Sequence, residues 1–331
     1  MGITRTFLGW TKHALPTLSE RLLSRATPEE TVDLSEMLIV VPGSAAGRRL
    51  LELLVEGASQ HKLALIPPEI VTIGSLPERL YVEQKPFADH LTQQFAWIEA
   101  LKLVPREILS PYFPHLPASD HVSDWLPFAD LLARLHRELA ADALDFSDVV
   151  DKGSKLDSFP EEERWRVLRQ VQEQYLQTLD RLSLWDRQTA RLFAIEHNEC
   201  QSDKQILLVG TVDLNRAMRL MLDQVADRVE SIIFAPRELS QRFDEHGCLK
   251  SNAWPYPLID LNDDQIRIVT RPGDQADEML RALAELEGKY PPEEIVVGVP
   301  ENSLIPYIEQ RLESAGVHSR NGVGRTARET A

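Results

Sequence analysis

Apolar positions follow two rhythms along this chain, and the switches between them mark out its elements. The clearest case is residues 205–236, QILLVGTVDLNRAMRLMLDQVADRVESIIFAP. An apolar run, Ile206–Val209, stops at Gly210, and Leu214, Met218, Met221, Leu222 and Val225 then recur at helical spacing. A second run, Ile232–Ala235, ends at Pro236. Short buried strand, helix, short buried strand predicts a parallel βαβ crossover.

The same reading extends in both directions. Residues 1–36 read as a helical lead-in, with Leu15, Leu18, Leu22 and Leu23 at three- and four-residue spacing. Met37–Val41 is a short buried strand and Pro42-Gly43 a turn. Ser44 is an N-cap for a helix burying Leu50, Leu51, Leu54 and Val55. Glu69–Ile73 is a further strand that ends at Gly74-Ser75, after which LPERLYV starts a helix. Residues 88–185 show only helical periodicity, with stripes Trp125, Phe128, Leu132, Leu135, Leu139 and Trp165, Leu168, Val171, Tyr175, Leu179, Leu182. LWDRQTARLFAIEHNE returns the chain to α/β rhythm. A turn-rich stretch with Trp254, Pro255 and Pro257 follows Pro236. A new unit then begins, with strands at Gln265–Thr270 and Ile295–Val299 and helices at Asp274–Leu286 and Ser303–Ala315. The first of these helices buries Met279, Leu280, Leu283 and Leu286.

The predicted architecture is an α/β protein with a RecA-like parallel sheet, an all-α insertion and an incomplete second α/β domain. Residues 1–87 and 186–260 form the first domain, 88–185 the helical insertion and 261–331 the start of the second domain. Such a short βαβα unit leaves an apolar sheet edge uncovered, so partial disorder or aggregation is expected beyond Asp264.

Length and charge refine this picture. At 331 residues the chain has room for two or three domains. A net charge of −16 weighs against a self-sufficient basic nucleic-acid-binding domain, while leaving room for a local basic groove or a basic partner. No apolar run approaches the ~20 residues of a membrane span, and the N-terminus lacks a secretory h-region, so a cytoplasmic protein without membrane association is expected. Cys200 and Cys248 then read as free thiols.

Candidate chemistry is sparse. Gly43-Ser44-Ala45-Ala46-Gly47-Arg48-Arg49 is the nearest approach to a phosphate loop. Its glycines are one residue too close, Arg48 stands where Lys should reach the phosphates, and Arg49 replaces the magnesium-binding hydroxyl. The turn reads either as a plain strand-to-helix connection or as amides and guanidinium groups contacting a nucleic-acid phosphate. Thr72, Gly74 and Ser75 fall at the neighbouring strand end, where open α/β sheets place ligands. Gly210 and Thr211 occupy the position at which a motor protein carries its acidic pair, with Asp213 as the nearest acid and Asn215 on the same rim. Asp274, Asp277, Glu287 and Lys289 match a metal-nuclease set only superficially, because Glu287 closes a helical pattern and Gly288 caps it. Glu196, His197, Glu199 and Cys200, like His115, Asp120, His121 and Asp124, lack metal-ligand spacing and read as surface groups. The aromatic stripes of the helical block read as core first and base-stacking platforms second.

Strand, turn and helix at 37–56, the helical block, the βαβ at 205–236 and the unit from 265 together resemble a superfamily 1 helicase core. The stretches FLGWTKHALPTLSERLL, LIVVPGSAAGRRLLELL, PPEIVTIGSLPERLY, LWDRQTARLFAI, ILLVGTVDLNRAMRLML, RPGDQADEMLRALAEL and PPEEIVVGVPENSLIPYIEQRLESAGV carry a narrower likeness. More narrowly, the chain resembles the N-terminal, helicase-like half of the B-type subunit of bacterial AddAB/RexAB helicase–nucleases, in the PD-(D/E)XK nuclease family. The resemblance implies a DNA-binding scaffold for double-strand-break processing, an AddA-type partner subunit, and inactivated ATPase motifs. It implies that magnesium, and an iron–sulfur cluster in many members, belong to a C-terminal nuclease domain, and that this chain stops short of it. On this reading the chain is itself non-catalytic, whereas the full-length family member is a metal-dependent deoxyribonuclease. The competing expectations are a protein-interaction scaffold without nucleic-acid binding, and a nucleotide hydrolase with a divergent loop.

Overall fold

A computed structural model of the chain describes residues 2–27, 30–118, 121–254, 262–286, 288–322 and 324. The chain divides into two compact units, residues 1–254 and 255–331. Asp120, Pro255, Pro257 and Glu287 lie outside the described residues.

The strands of the first unit are β1 (Thr4–Phe7), β2 (Thr31–Asp33), β3 (Met37–Val41), β4 (Ala64–Ile66), β5 (Glu69–Thr72), β6 (Gln205–Val209) and β7 (Val229–Ile233). Five of them form one parallel sheet in the order β1–β7–β6–β3–β5, while β2 and β4 pair separately, also in parallel. β3 and β6 are direct neighbours, with Leu38 opposite Ile206 and Val40 opposite Leu208. Their apolar runs are continuous because helices cover both faces of a parallel sheet.

The helices of this unit are α1 (Ala14–Leu23), α2 (Ser44–Gln60), α3 (His90–Leu103), α4 (Arg106–Leu109), α5 (Val122–Ala141), α6 (Phe146–Gly153), α7 (Glu162–Arg181), α8 (Arg187–Glu196) and α9 (Arg216–Gln224). α1 and α2 cover one face, burying Leu18, Leu22, Leu50 and Leu54 against Ile39, Val41, Leu207 and Val209. α8 and α9 cover the other, burying Ala190, Ala194, Met218, Met221 and Leu222 against Leu38, Val40, Ile206 and Leu208. The turn-rich stretch after β7 lies on that second face too: a Cβ at Gly247 would come within 2.8 Å of the Ser231 side chain and 3.2 Å of Ile233.

α3 to α7 enclose a core of their own, centred on Trp97, Leu101, Leu132, Phe146, Val171 and Tyr175. The chain enters and leaves this block through adjacent segments: Ala88 N–H donates to the Trp185 carbonyl, and Trp185 N–H to that of Pro86. Asp caps start three of the helices around this block, with Asp89, Asp145 and Asp186 accepting from Thr92, Asp148 and Thr189 amides. Asp186 also joins the block to the sheet, because its buried carboxylate meets His136 Nε2 of α5 at 3.3 Å. Gln172 bonds His136 Nδ1 at 3.0 Å and accepts from Phe146 N–H, closing the network.

Several sequence expectations need correction. The lead-in is not wholly helical: β1 precedes α1 and forms an edge of the sheet. Its TRTF sequence is short, with two residues exposed and two half-buried, so it carries no continuous apolar run. LPERLYV forms a 3-10 turn at Pro77–Arg79 instead of an α-helix, with Leu76 and Leu80 buried on either side. Gly43, not Ser44, occupies the N-cap of α2, and Ser44 is the first helical residue. α2 packs through Gly47, Leu50, Leu54 and Ala58, leaving Leu51 and Val55 exposed about a quarter-turn away. α5 turns its most buried face through Trp125, Ala129, Leu132, His136 and Ala140, with Phe128, Leu135 and Leu139 at its margin. Leu182 follows α7 and is exposed.

The second unit contains α10 (Pro272–Glu285) and α11 (Ile305–Ser314). Among the described residues, 265–270 and 295–299 are not hydrogen-bonded strands. Ile268 is 92% exposed and Val296 89%, so these apolar segments have the composition of strands without the pairing. Met279, Leu280, Leu283 and Leu286 are half-buried, and Ala276 is the buried residue of α10. The predicted Ser303–Ala315 helix is a 3-10 turn, Asn302–Leu304, followed by α11.

Candidate functional site

The two faces of the sheet locate its reversal point. From β3 the chain runs through α2 on one face to β5; from β6 it runs through α9 on the other face to β7. These crossovers leave in opposite directions, so the strand order reverses between the carboxyl ends of β3 and β6. Open α/β sheets bind ligands at such a reversal of strand order. Along this edge the turns follow the strand order: 8–13 after β1, 234–236 after β7, 210–215 after β6, 42–44 after β3 and 73–75 after β5.

The β3 turn has two glycines with different roles. A Cβ at Gly43 would meet nothing within 4 Å, so the backbone there is open to a ligand. At Gly47 a Cβ would approach Ile70 to 3.1 Å and Val41 to 3.4 Å. Gly47 therefore lets the first turn of α2 lie against β3 and β5, and its place in the sequence reflects packing. Ser44, Arg48 and Arg49 are exposed. Arg49 is held along α2 by Glu52 at 3.0 Å and Glu56 at 3.8 Å. Arg48 has no hydrogen-bond or ion-pair partner among the described residues, which leaves its guanidinium available to a ligand.

The neighbouring β5 end is ordered by its own side chains. Val41 and Thr72 are in register across β3 and β5, so the two turns are adjacent. The Thr72 and Ser75 hydroxyls bond each other at 2.8 Å, and Gly74 is exposed with open space at its Cα.

At the β6 end the chain turns through Gly210, whose φ of +60° is left-handed. A side chain with a Cβ is strained in that conformation, because the Cβ crowds the following carbonyl, and one at Gly210 would also lie 3.4 Å from the Phe234 ring. Gly210→Ala is expected to lower stability by about 1–2 kcal/mol. A urea unfolding midpoint shifted down at unchanged slope checks this, and an unshifted midpoint contradicts it. Thr211 places its hydroxyl in a buried position without a hydrogen-bond partner among the described residues. Asp213 is exposed, and the Asn215 side chain is committed to capping α9 through Met218 N–H at 2.9 Å. The structure thus brings Gly210, Thr211 and Asp213 to the same edge as Ser44 and Arg48, and removes Asn215 from the set of free rim groups.

The turn after β1 was not among the sequence candidates. Backbone bonds from Leu8 N–H to the Ile233 carbonyl (2.9 Å) and from Gly9 N–H to that of Ala235 (3.1 Å) carry the ladder up to the rim. Gly9 then turns at φ +75°, and Trp10, Thr11, Lys12 and His13 are all exposed before α1 begins. Gly9 after an aromatic-apolar pair, Phe7-Leu8, was the available signal.

The polar groups around Cys200 and Cys248 are engaged in packing and hydrogen bonds. His197 stacks on Phe193 with ring centroids 3.8 Å apart, and Glu199 accepts from Gln84 at 3.0 Å. Burial, with Glu199 beside it, pushes the Cys200 thiol up to about 11. Burial and Asp244 push Cys248 to about 12, so both thiols stay protonated. His246 is buried between Asp223, at 2.8 Å, and Arg219, at 3.3 Å. Among the described residues no three His, Cys, Asp or Glu side chains are grouped so as to hold a metal ion, and no helix is long and apolar enough to cross a membrane. Comparison with protein-family models finds no match, and no curated protein matches the chain significantly.

Proposed function

We propose that this chain is a RecA-like scaffold that holds DNA without hydrolysing nucleotide, as the helicase-like portion of a double-strand-break-processing helicase–nuclease subunit. One observation carries the reading. At the reversal point of a parallel sheet, the β3 and β6 turns present backbone amides and the start of α2 presents Arg48, without a partner among the described residues, where a motor would carry lysine, hydroxyl and carboxylates. Arg48 and the amides around Gly43 and Ser44 supply phosphate contacts, and the Thr72–Gly74–Ser75 turn extends the surface. The direct parallel pairing of β3 with β6 is what a motor-derived core requires. An AddA-type motor subunit is the proposed partner. Magnesium and any iron–sulfur cluster would belong to a nuclease domain outside this chain.

The test is fluorescence anisotropy of the full chain with single-stranded and forked DNA between about 50 and 200 mM salt. Binding should weaken linearly in log–log form. Arg48→Ala should weaken binding to every sequence alike and lower the single-strand slope by about 0.7. An absence of binding at the lowest salt would reject the DNA reading. Magnesium-dependent ATP turnover abolished by Arg48→Ala would replace it with an active hydrolase. A protein-interaction scaffold is the second reading, favoured by the exposed Ile268 and Val296 in the second unit.

A further inference from the structure

The rim carries an aromatic side chain that packing does not explain. Trp10 is 60% exposed, whereas Trp97 and Trp125 are buried and Trp165, Trp185 and Trp254 are half-buried. An indole buries more apolar area than almost any other side chain, and leaving it in water forfeits that gain. Trp10 follows the left-handed Gly9 at the carboxyl end of β1, on the same sheet edge as Arg48 and the β6 turn.

Its surroundings select the kind of ligand. Residues 2–25 contain four cationic side chains, Arg5, Lys12, Arg21 and Arg25, against one acid, Glu20, in a chain whose net charge is −16. Arg21 is paired with Glu230, and Arg5 is spent on the carbonyls of Ser240, Phe243 and Asp244. Lys12, two residues from Trp10, has no ion-pair or hydrogen-bond partner among the described residues. An exposed ring two residues from a cation that has no partner among the described residues, on a locally basic segment, matches the stacking-plus-phosphate chemistry of single-strand binding. A protein hot spot would use the ring without needing the cation.

We infer that Trp10 is a base-stacking platform for single-stranded nucleic acid, with Lys12 neutralising the adjoining phosphate; this rests on the DNA-holding function proposed above. The ring accepts any base on its face, so the contact is independent of sequence and requires an unpaired strand.

The experiment compares the full wild-type chain with Trp10→Ala, Trp10→Phe and Lys12→Ala. The probes are labelled oligo-dT and the same backbone with abasic residues in place of thymidine. Because the side chain stands in solvent, Trp10→Ala should melt with the wild type. It should lose about 5- to 100-fold in affinity for oligo-dT, bind the abasic strand like the wild type, and be largely restored by Trp10→Phe. Lys12→Ala should weaken both probes alike and lower the salt slope by about 0.7. Trp10→Ala binding oligo-dT like the wild type would overturn the inference and leave the DNA reading standing. Equal losses on both probes would also overturn it, because stacking needs a base. A wild-type chain that binds neither probe defeats the DNA reading and this inference together.

Discussion

Trp97→Ala is expected to destabilise the first unit by about 3–5 kcal/mol, the range for removing a fully buried large aromatic side chain. Trp97 has no solvent exposure, and its ring stacks on Tyr175 with centroids 3.8 Å apart and planes 5° from parallel. It also meets His136 and Phe146 at centroid distances of 5.9 and 6.3 Å. Three helices, α3, α5 and α7, together with the start of α6, therefore converge on one indole. The void left by alanine is too large for neighbours in separate helices to close. Calorimetry of the purified chain should show the main transition lowered by roughly 6–20 °C. A shift of only a degree or two would mean the helical block collapses around the vacancy and does not depend on this ring.

Asp186→Ala should cost about 2–4 kcal/mol, because it leaves a buried His136 nitrogen without its partner and removes the cap of α8. The carboxylate is fully buried, bonds His136, and caps α8 through the Thr189 amide at 2.8 Å and hydroxyl at 3.0 Å. Burial by itself would raise the Asp186 carboxyl. The His136 partner and the Thr189 donors outweigh it and hold the group below the ordinary carboxylate range. A native state with a depressed carboxyl binds fewer protons than the unfolded chain. This contribution is therefore complete above the unfolded value of ~3.9 and is lost as pH falls toward the native one. Asp186→Asn keeps an acceptor for the cap and removes the charge, so it should cost less than alanine at neutral pH. Its stability gap to the wild type should then narrow as pH falls below about 4. Urea unfolding at a series of pH values checks both statements. A gap that stays constant through the acid range would show that the charge on Asp186 contributes nothing.

The parts of the fold that the chain discloses on inspection are those whose burial is local. Met37–Val41 and Ile206–Val209 are uninterrupted apolar runs because helices cover both sides of the sheet. Leu214, Met218, Met221, Leu222 and Val225 are all buried where their helical spacing placed them. β1 was hidden because a four-residue edge strand, two residues exposed and two half-buried and half of them threonine, has no distinguishing pattern. The inner face of α5 was displaced because its contact residues include Ala129, Ala140 and His136, which do not register as an apolar stripe. Residues 265–270 and 295–299 illustrate the opposite error. Their composition suits strands, but pairing is a property of neighbours distant in sequence, and composition does not supply them. At the rim, the placement of Ser44, Thr72, Gly74 and Ser75 just beyond strand ends was legible because turns follow strands. The partner that occupies Arg49 and the capping duty of Asn215 required three-dimensional neighbours to be seen.

Hydrogen–deuterium exchange of the full chain, with and without a single-stranded oligonucleotide at low salt, addresses the central claim most directly. A DNA-holding edge at the carboxyl ends of the strands predicts slowed exchange in residues 9–13, 42–48, 73–76 and 210–214. Helices α3 to α7 should be unchanged. Protection confined to those helices or to the second unit, alongside measurable salt-dependent binding, would contradict the account.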